Sequence, residues 1–156
     1  MGIFSREHDR LSVLPYLHMN RFGETDPTFG ISVQNDGVGP AVIEKVQIWY
    51  NNRILTSLPE LYRQLLSNIP KMTNGRLTYT EVILGEYYRT GQTVHLMEGN
   101  GVDSEIQKAI WDQISSKLEI KINYCSTYKD CSVECLIASK IDCEKLSFNL
   151  PGLRLP

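Results

Sequence analysis

The chain has 156 residues, 42% of them hydrophobic and 22% charged, and a net charge of −2 from 16 basic and 18 acidic side chains. That composition suits one globular domain with a real core and excludes a disordered chain. It offers no basic excess for nucleic acid and no run of about 18 apolar residues to cross a membrane, and the polar, mixed-charge residues 1–10 do not make a signal peptide.

The sequence predicts a polar leader over residues 1–10, a single domain over 11–150 and a loose tail over 151–156. Residues 11–19 read as a first strand, with Leu11, Val13, Leu17 and Met19 on one face. Pro15 lacks a ladder donor, so this strand is expected at an edge or broken there. Residues 21–27 are a polar connection. Phe29, Ile31 and Val33 alternate with small or polar neighbours and predict a second strand. Asn35, Asp36, Gly37, Gly39 and Pro40 then supply turn chemistry. Ala41 to Tyr50 is the clearest strand, and a bulge near Glu44 and Lys45 would bring Ala41 and Ile43 onto one face with Val46, Ile48 and Tyr50. Asn51 and Asn52 turn the chain into a short strand over 53–56.

Ser57, Leu58, Pro59 and Glu60 form a capping box, so a helix starts there, with Leu58, Leu61, Tyr62, Leu65 and Leu66 as its apolar stripe. Pro70 stops it. Asn74 and Gly75 turn into a strand expected over 77–84. A loop over 85–91 and a short strand over 93–97 follow. Residues 98–101 read as a flexible joint. Asp103 or Ser104 caps a second helix running to about Lys117, with Ile106, Ala109, Ile110 and Ile114 inward and Trp111 off the stripe, free to touch another element. Residues 118–124 alternate, with Leu118, Ile120, Ile122 and Tyr124 inward and Glu119, Lys121 and Asn123 outward. A hairpin loop over 126–130 leads to a strand over 131–138, and a last edge strand is expected over 145–149. Seven or eight short strands joined by turns, with two helices inserted, predict a mainly β fold, an antiparallel β-sandwich.

The four cysteines, Cys125, Cys131, Cys135 and Cys143, all fall in the last 32 residues. Their spacing lacks the paired knuckles of structural zinc sites and no histidine lies near, so no metal is expected. Free, mostly buried thiols are the preferred reading, and a Cys125–Cys131 bridge across the hairpin is the alternative. His8 lies in the leader, and His18 and His95 sit opposite the apolar parity of their strands, facing solvent. No nucleophile elbow, dinucleotide fingerprint or phosphate-loop lysine is present, so no catalytic or cofactor-binding residue is assigned and no cofactor is expected. The stretch that stands out is Tyr87, Tyr88 and Arg89 within the 85–91 loop. Two tyrosines beside an arginine give planar, amphipathic contact area. The competing reading makes both tyrosines core.

The segment from Phe29 through Asn35, Gly37, Gly39, Pro40 and Ala41 resembles the "strand, N-x-G-x-G-P-A, strand" opening of bacterial immunoglobulin-like domains, including cell-adhesion-related ones. Leu84-Gly85 and residues 90–94 stand where those domains carry a later "L-x-x-G" and strand. The chain also resembles small bacterial hypothetical proteins with one N-terminal membrane helix, through residues 6–15, the same turn, and residues 122–131. The resemblance implies an immunoglobulin-like domain. It carries no established activity onto any residue. This sequence departs from those proteins in having no membrane helix, so it is expected to be either a soluble member or a chain cut at that point.

The expectation is a non-catalytic interaction module with a protein partner, without nucleic acid, and membrane-associated only through a helix absent from this chain. The arginines of residues 6–10 lean toward the cytoplasm, or the cytoplasmic face of the inner membrane, over the periplasm. The alternatives are a sensor of a small anionic ligand, which requires converging Arg, Tyr or backbone donors, and a small hydrolase, which requires a histidine beside a nucleophile.

Overall fold

The computed structural model describes residues 13–136. The predicted leader, the strand over 145–149, the tail, His8 and Cys143 lie outside them.

Nine strands and two helices alternate along the described chain: β1 (Leu17–Phe22), β2 (Thr28–Asn35), β3 (Ala41–Tyr50), β4 (Arg53–Leu55), α1 (Leu58–Ser67), β5 (Arg76–Tyr79), β6 (Tyr87–Tyr88), β7 (Thr93–Asn100), α2 (Ser104–Lys117), β8 (Leu118–Cys125) and β9 (Cys131–Leu136). They form two antiparallel sheets. One has the order β1-β2-β7-β5. The other has the order β4-β3-β8-β9, with β6 also pairing β3. Inward residues of both sheets, Ile31 and Val33 from one and Ile43, Ile120 and Ile122 from the other, share a single buried cluster with both helices.

Several local rules act as the sequence predicts. Pro15 stays outside the ladder, so β1 begins only at Leu17, later than expected, and it lies at a sheet edge. The register between β3 and β8 slips between Ile43 and Lys45, the bulge that brings Ile48 and Tyr50 onto the buried face of Ala41 and Ile43. Asn51 and Asn52 both take left-handed φ, 54° and 63°, closing the β3–β4 hairpin. The Ser57 hydroxyl accepts from the Glu60 amide at 3.3 Å, while the Glu60 carboxylate reaches the Thr56 amide at 2.8 Å and not that of Ser57. Trp111, off the helix stripe, packs its ring 5.8 Å from Phe29.

Other expectations are corrected. The strand over 77–84 is only Arg76–Tyr79; after Thr80 the chain leaves one sheet and crosses to the other, where Gly85 donates to the Ile43 carbonyl at 2.7 Å. The 85–91 loop therefore contains a two-residue strand, β6. Residues 98–100 are not a joint: β7 runs to Asn100 and pairs with β2 and β5. Gly99 permits this, because a Cβ there would stand 2.2 Å from the Phe29 ring. Asp103 makes no side-chain cap; its carboxylate accepts from Asn74 Nδ2 at 3.1 Å. The outward residues Glu119 and Lys121 are buried as well, beside Trp49. β8 is central in its sheet, so its outward side chains have neighbours on both flanks.

Candidate functional site

The β2–β3 turn, the 89–92 loop and the start of β1 are gathered at one end of the molecule by Asn35. This side chain is fully buried. Its amide nitrogen donates to the carbonyls of Gly39 and Tyr88, each at 2.8 Å. Its amide oxygen accepts from the backbone of Tyr16 at 3.1 Å and of Gly37 at 3.0 Å. Its own N–H donates to the Gln92 carbonyl at 3.0 Å, and its own carbonyl accepts from Gly91 at 2.8 Å. Every donor of the residue and both lone pairs of its side-chain oxygen are used, so three separate segments are fixed to one point.

The β8–β9 hairpin reaches the same end. Val42 pairs with Tyr87 on one side and with Cys125 on the other. Beyond Cys125, the Ser126 hydroxyl accepts from the amides of Tyr128 at 3.1 Å and Asp130 at 3.2 Å, which shapes the hairpin loop. A disulfide joins Cys125 to Cys131 across the hairpin, and Cys135 is disulfide-bonded too. None of the described cysteines is free, which replaces the preferred reading of buried thiols with the alternative one.

The predicted pair of tyrosines separates. Strand alternation in β6 turns Tyr88 into the core at 1% exposure and Tyr87 outward at 58%. Burial, with Glu86 adding to it, pushes the Tyr88 hydroxyl up to about 12. Arg89 is exposed, and its amide donates to Gln92 Oε1 at 2.9 Å. Exposed beside these are Tyr16, Val38 and Tyr128 at 59%, 66% and 50%. The Val38 amide donates to the Leu14 carbonyl at 3.0 Å, which ties its turn to the approach of β1. Sequence reading missed all three. Their signal was available: each sits in or beside a turn or loop that the sequence marks.

The two described histidines contact carboxylates. His18 Nδ1 lies 3.3 Å from Glu134 and His95 Nδ1 3.4 Å from Glu98. Among the described residues no group of three or more His, Cys, Asp or Glu side chains is placed to hold a metal ion, and no helix is long and apolar enough to cross a membrane. No protein-family model, curated protein or solved structure matches this chain.

Proposed function

We propose that the chain is an immunoglobulin-like β-sandwich whose Asn35 end is a protein-recognition surface, so that it works as a non-catalytic interaction module. The strand order supports the fold reading. β1-β2-β7-β5 corresponds to the A-B-E-D sheet of such domains and β4-β3-β8-β9 to C′-C-F-G, with α1 inserted between C′ and D and α2 between E and F. In that correspondence the β2–β3 turn and the β8–β9 hairpin are loops of the end that carries contacts in variable domains.

The observation that carries the functional reading is the set of exposed aromatic and apolar side chains there, Tyr16, Val38, Tyr87 and Tyr128, on backbone that Asn35 and the disulfide hold still. Tyrosine supplies large amphipathic contact area at small entropic cost, and loops fixed in advance lose little freedom on binding. The partner is a protein with a matching aromatic or apolar patch. The disulfides support an oxidising compartment over the cytoplasm that the leader arginines favour.

The test places a photo-reactive phenylalanine at position 87 or 128, and at exposed Lys71 as control, in living cells. A discrete crosslinked species from 87 and 128 but not from 71 is expected. Equal labelling from all three, or none from 87 and 128, would overturn the reading.

A further inference from the structure

A second feature lies on the side of the molecule where the chain passes between sheets. β4 and the start of α1 stand on one side and the crossing segment over residues 80–86 on the other. Between them opens a cleft of about 290 Å³. Its floor reaches the core residues Ile48, Leu96 and Ile120, exposed by 5%, 1% and 1%. Val82 and Leu84 wall it, and Leu84 remains 62% exposed. The volume falls just short of the usual range for small-molecule sites, about 300–1,000 Å³, and so suits a small ligand.

Lys45 supplies the polar anchor. It and Val46 border the cleft on the stretch of β3 that lies between its pairing with β6, at Ala41 and Val42, and its pairing with β4, from Ile48 onward. Among the described residues Lys45 makes no ion pair. The hydroxyl groups on the cleft wall are engaged: Ser57 accepts from the Glu60 amide and Thr56 donates to the Glu60 carboxylate at 2.7 Å. Glu81 is the other charge at the rim. It stands on the crossing segment, outside any strand, whereas Lys45 is paired to Asn123 in the middle of a sheet. A cation fixed on a ladder loses less freedom on binding a ligand than an anion on an unpaired segment.

We propose that this cleft is a binding site for a small aliphatic carboxylate, its chain on Ile48, Leu96 and Ile120 and its carboxylate on the Lys45 ammonium. This site is separate from the Asn35 end and stands or falls independently of the interaction reading.

Titration calorimetry with octanoate, octanol and octylamine tests it, on the wild type and on two variants whose melting temperatures are checked first. Octanoate is expected to bind most tightly. Lys45→Met, which keeps the stem and removes the charge, is expected to weaken octanoate about tenfold, the worth of one charge-assisted contact near 1.4 kcal/mol, and to leave octanol unchanged. Val82→Phe, at a half-buried wall position, is expected to abolish binding of both by filling the space. Absence of octanoate binding at millimolar concentration, octylamine binding as tightly as octanoate, or an unchanged octanoate affinity in Lys45→Met would each overturn the proposal.

Discussion

Asn35 reads in the sequence as a turn former, and it is one, since Gly37 donates to its side chain in an Asx-type bond. What the sequence cannot display is that the remaining donors of that amide meet carbonyls four and fifty-three positions away. Removing them strands buried carbonyls at about 1–3 kcal/mol each, less where water enters. Asn35→Ala and Asn35→Asp are both expected to lower unfolding free energy by about 2–4 kcal/mol in urea melts. Asp should fare no better than Ala near neutral pH, because a carboxylate oxygen would then face the Gly39 and Tyr88 carbonyls. Tyr88 carries a second expectation. Its folded-state value of about 12 lies above the ordinary 10.0, chiefly through burial. Its contribution is therefore fully present below pH 10 and is lost as pH rises toward 12, where the unfolded chain ionises first. Tyr50 and Tyr124 are shifted upward by burial in the same sense. Stability measured across that alkaline window should fall less steeply in Tyr88→Phe than in the wild type.

Elements are held to one another by side chains reaching backbone. Gln107 on α2, itself buried, directs its amide nitrogen at the carbonyls of Gly23, Glu24 and Asp26, at 3.2, 2.9 and 2.9 Å, and so clamps the β1–β2 turn onto the helix. Gln107→Glu places an anion among three carbonyls and should cost more than Gln107→Leu, which loses the donors without adding charge; about 1–3 kcal/mol is expected for the latter. The edge strand β1 is closed in a comparable way. The Leu17 amide donates to the Tyr124 hydroxyl at 3.2 Å and the Met19 amide to the Glu134 carboxylate at 2.8 Å, so these two outward N–H groups are satisfied by the other sheet and are not open to a further strand. Glu134→Gln keeps an acceptor and should be nearly neutral, whereas Glu134→Ala should lose about 1–2 kcal/mol and raise the tendency to associate, read by light scattering. Period-two strands, the bulge and the Ser57 cap were legible because they are rules of neighbours. Crossings such as residues 80–86, with the apolar run Val82, Ile83 and Leu84, imitate a strand; only the competing position of β6 on the other sheet ends β5 at Tyr79. The cleft was invisible for the same reason. The sequence points to the bulge, but not to what stands across from Lys45.

At the scale of the molecule, the cysteines decide between environments. The alternation of β8 places Cys125 opposite to Tyr124, and the hairpin brings Cys131 into register with it. Proximity was thus readable from the spacing, while redox state was not, because it belongs to the compartment and not to the chain. With Cys125, Cys131 and Cys135 all bonded, thiol counting on denatured protein purified without reductant should find at most one free thiol per chain. Three or four would place the protein in a reducing compartment. The Cys125–Cys131 bridge closes a short loop, six residues apart in sequence, so the chain-entropy account assigns it about 2 kcal/mol. The double variant Cys125→Ser, Cys131→Ser should accordingly melt about 4–8 °C lower, at the shift per kcal/mol of a domain this size. The core away from the hairpin does not depend on it, so the variant should retain its near-ultraviolet signal from Trp111 against Phe29 and unfold in one transition. The proposed recognition end should suffer more than the fold. The hairpin that presents Tyr128 would lose its covalent tie, and crosslinking from position 128 should decline in the double variant while crosslinking from position 87, held through β3 and Asn35, persists. Loss at both positions together would mean that the two tyrosines are not positioned independently, and that the bridge organises the entire surface.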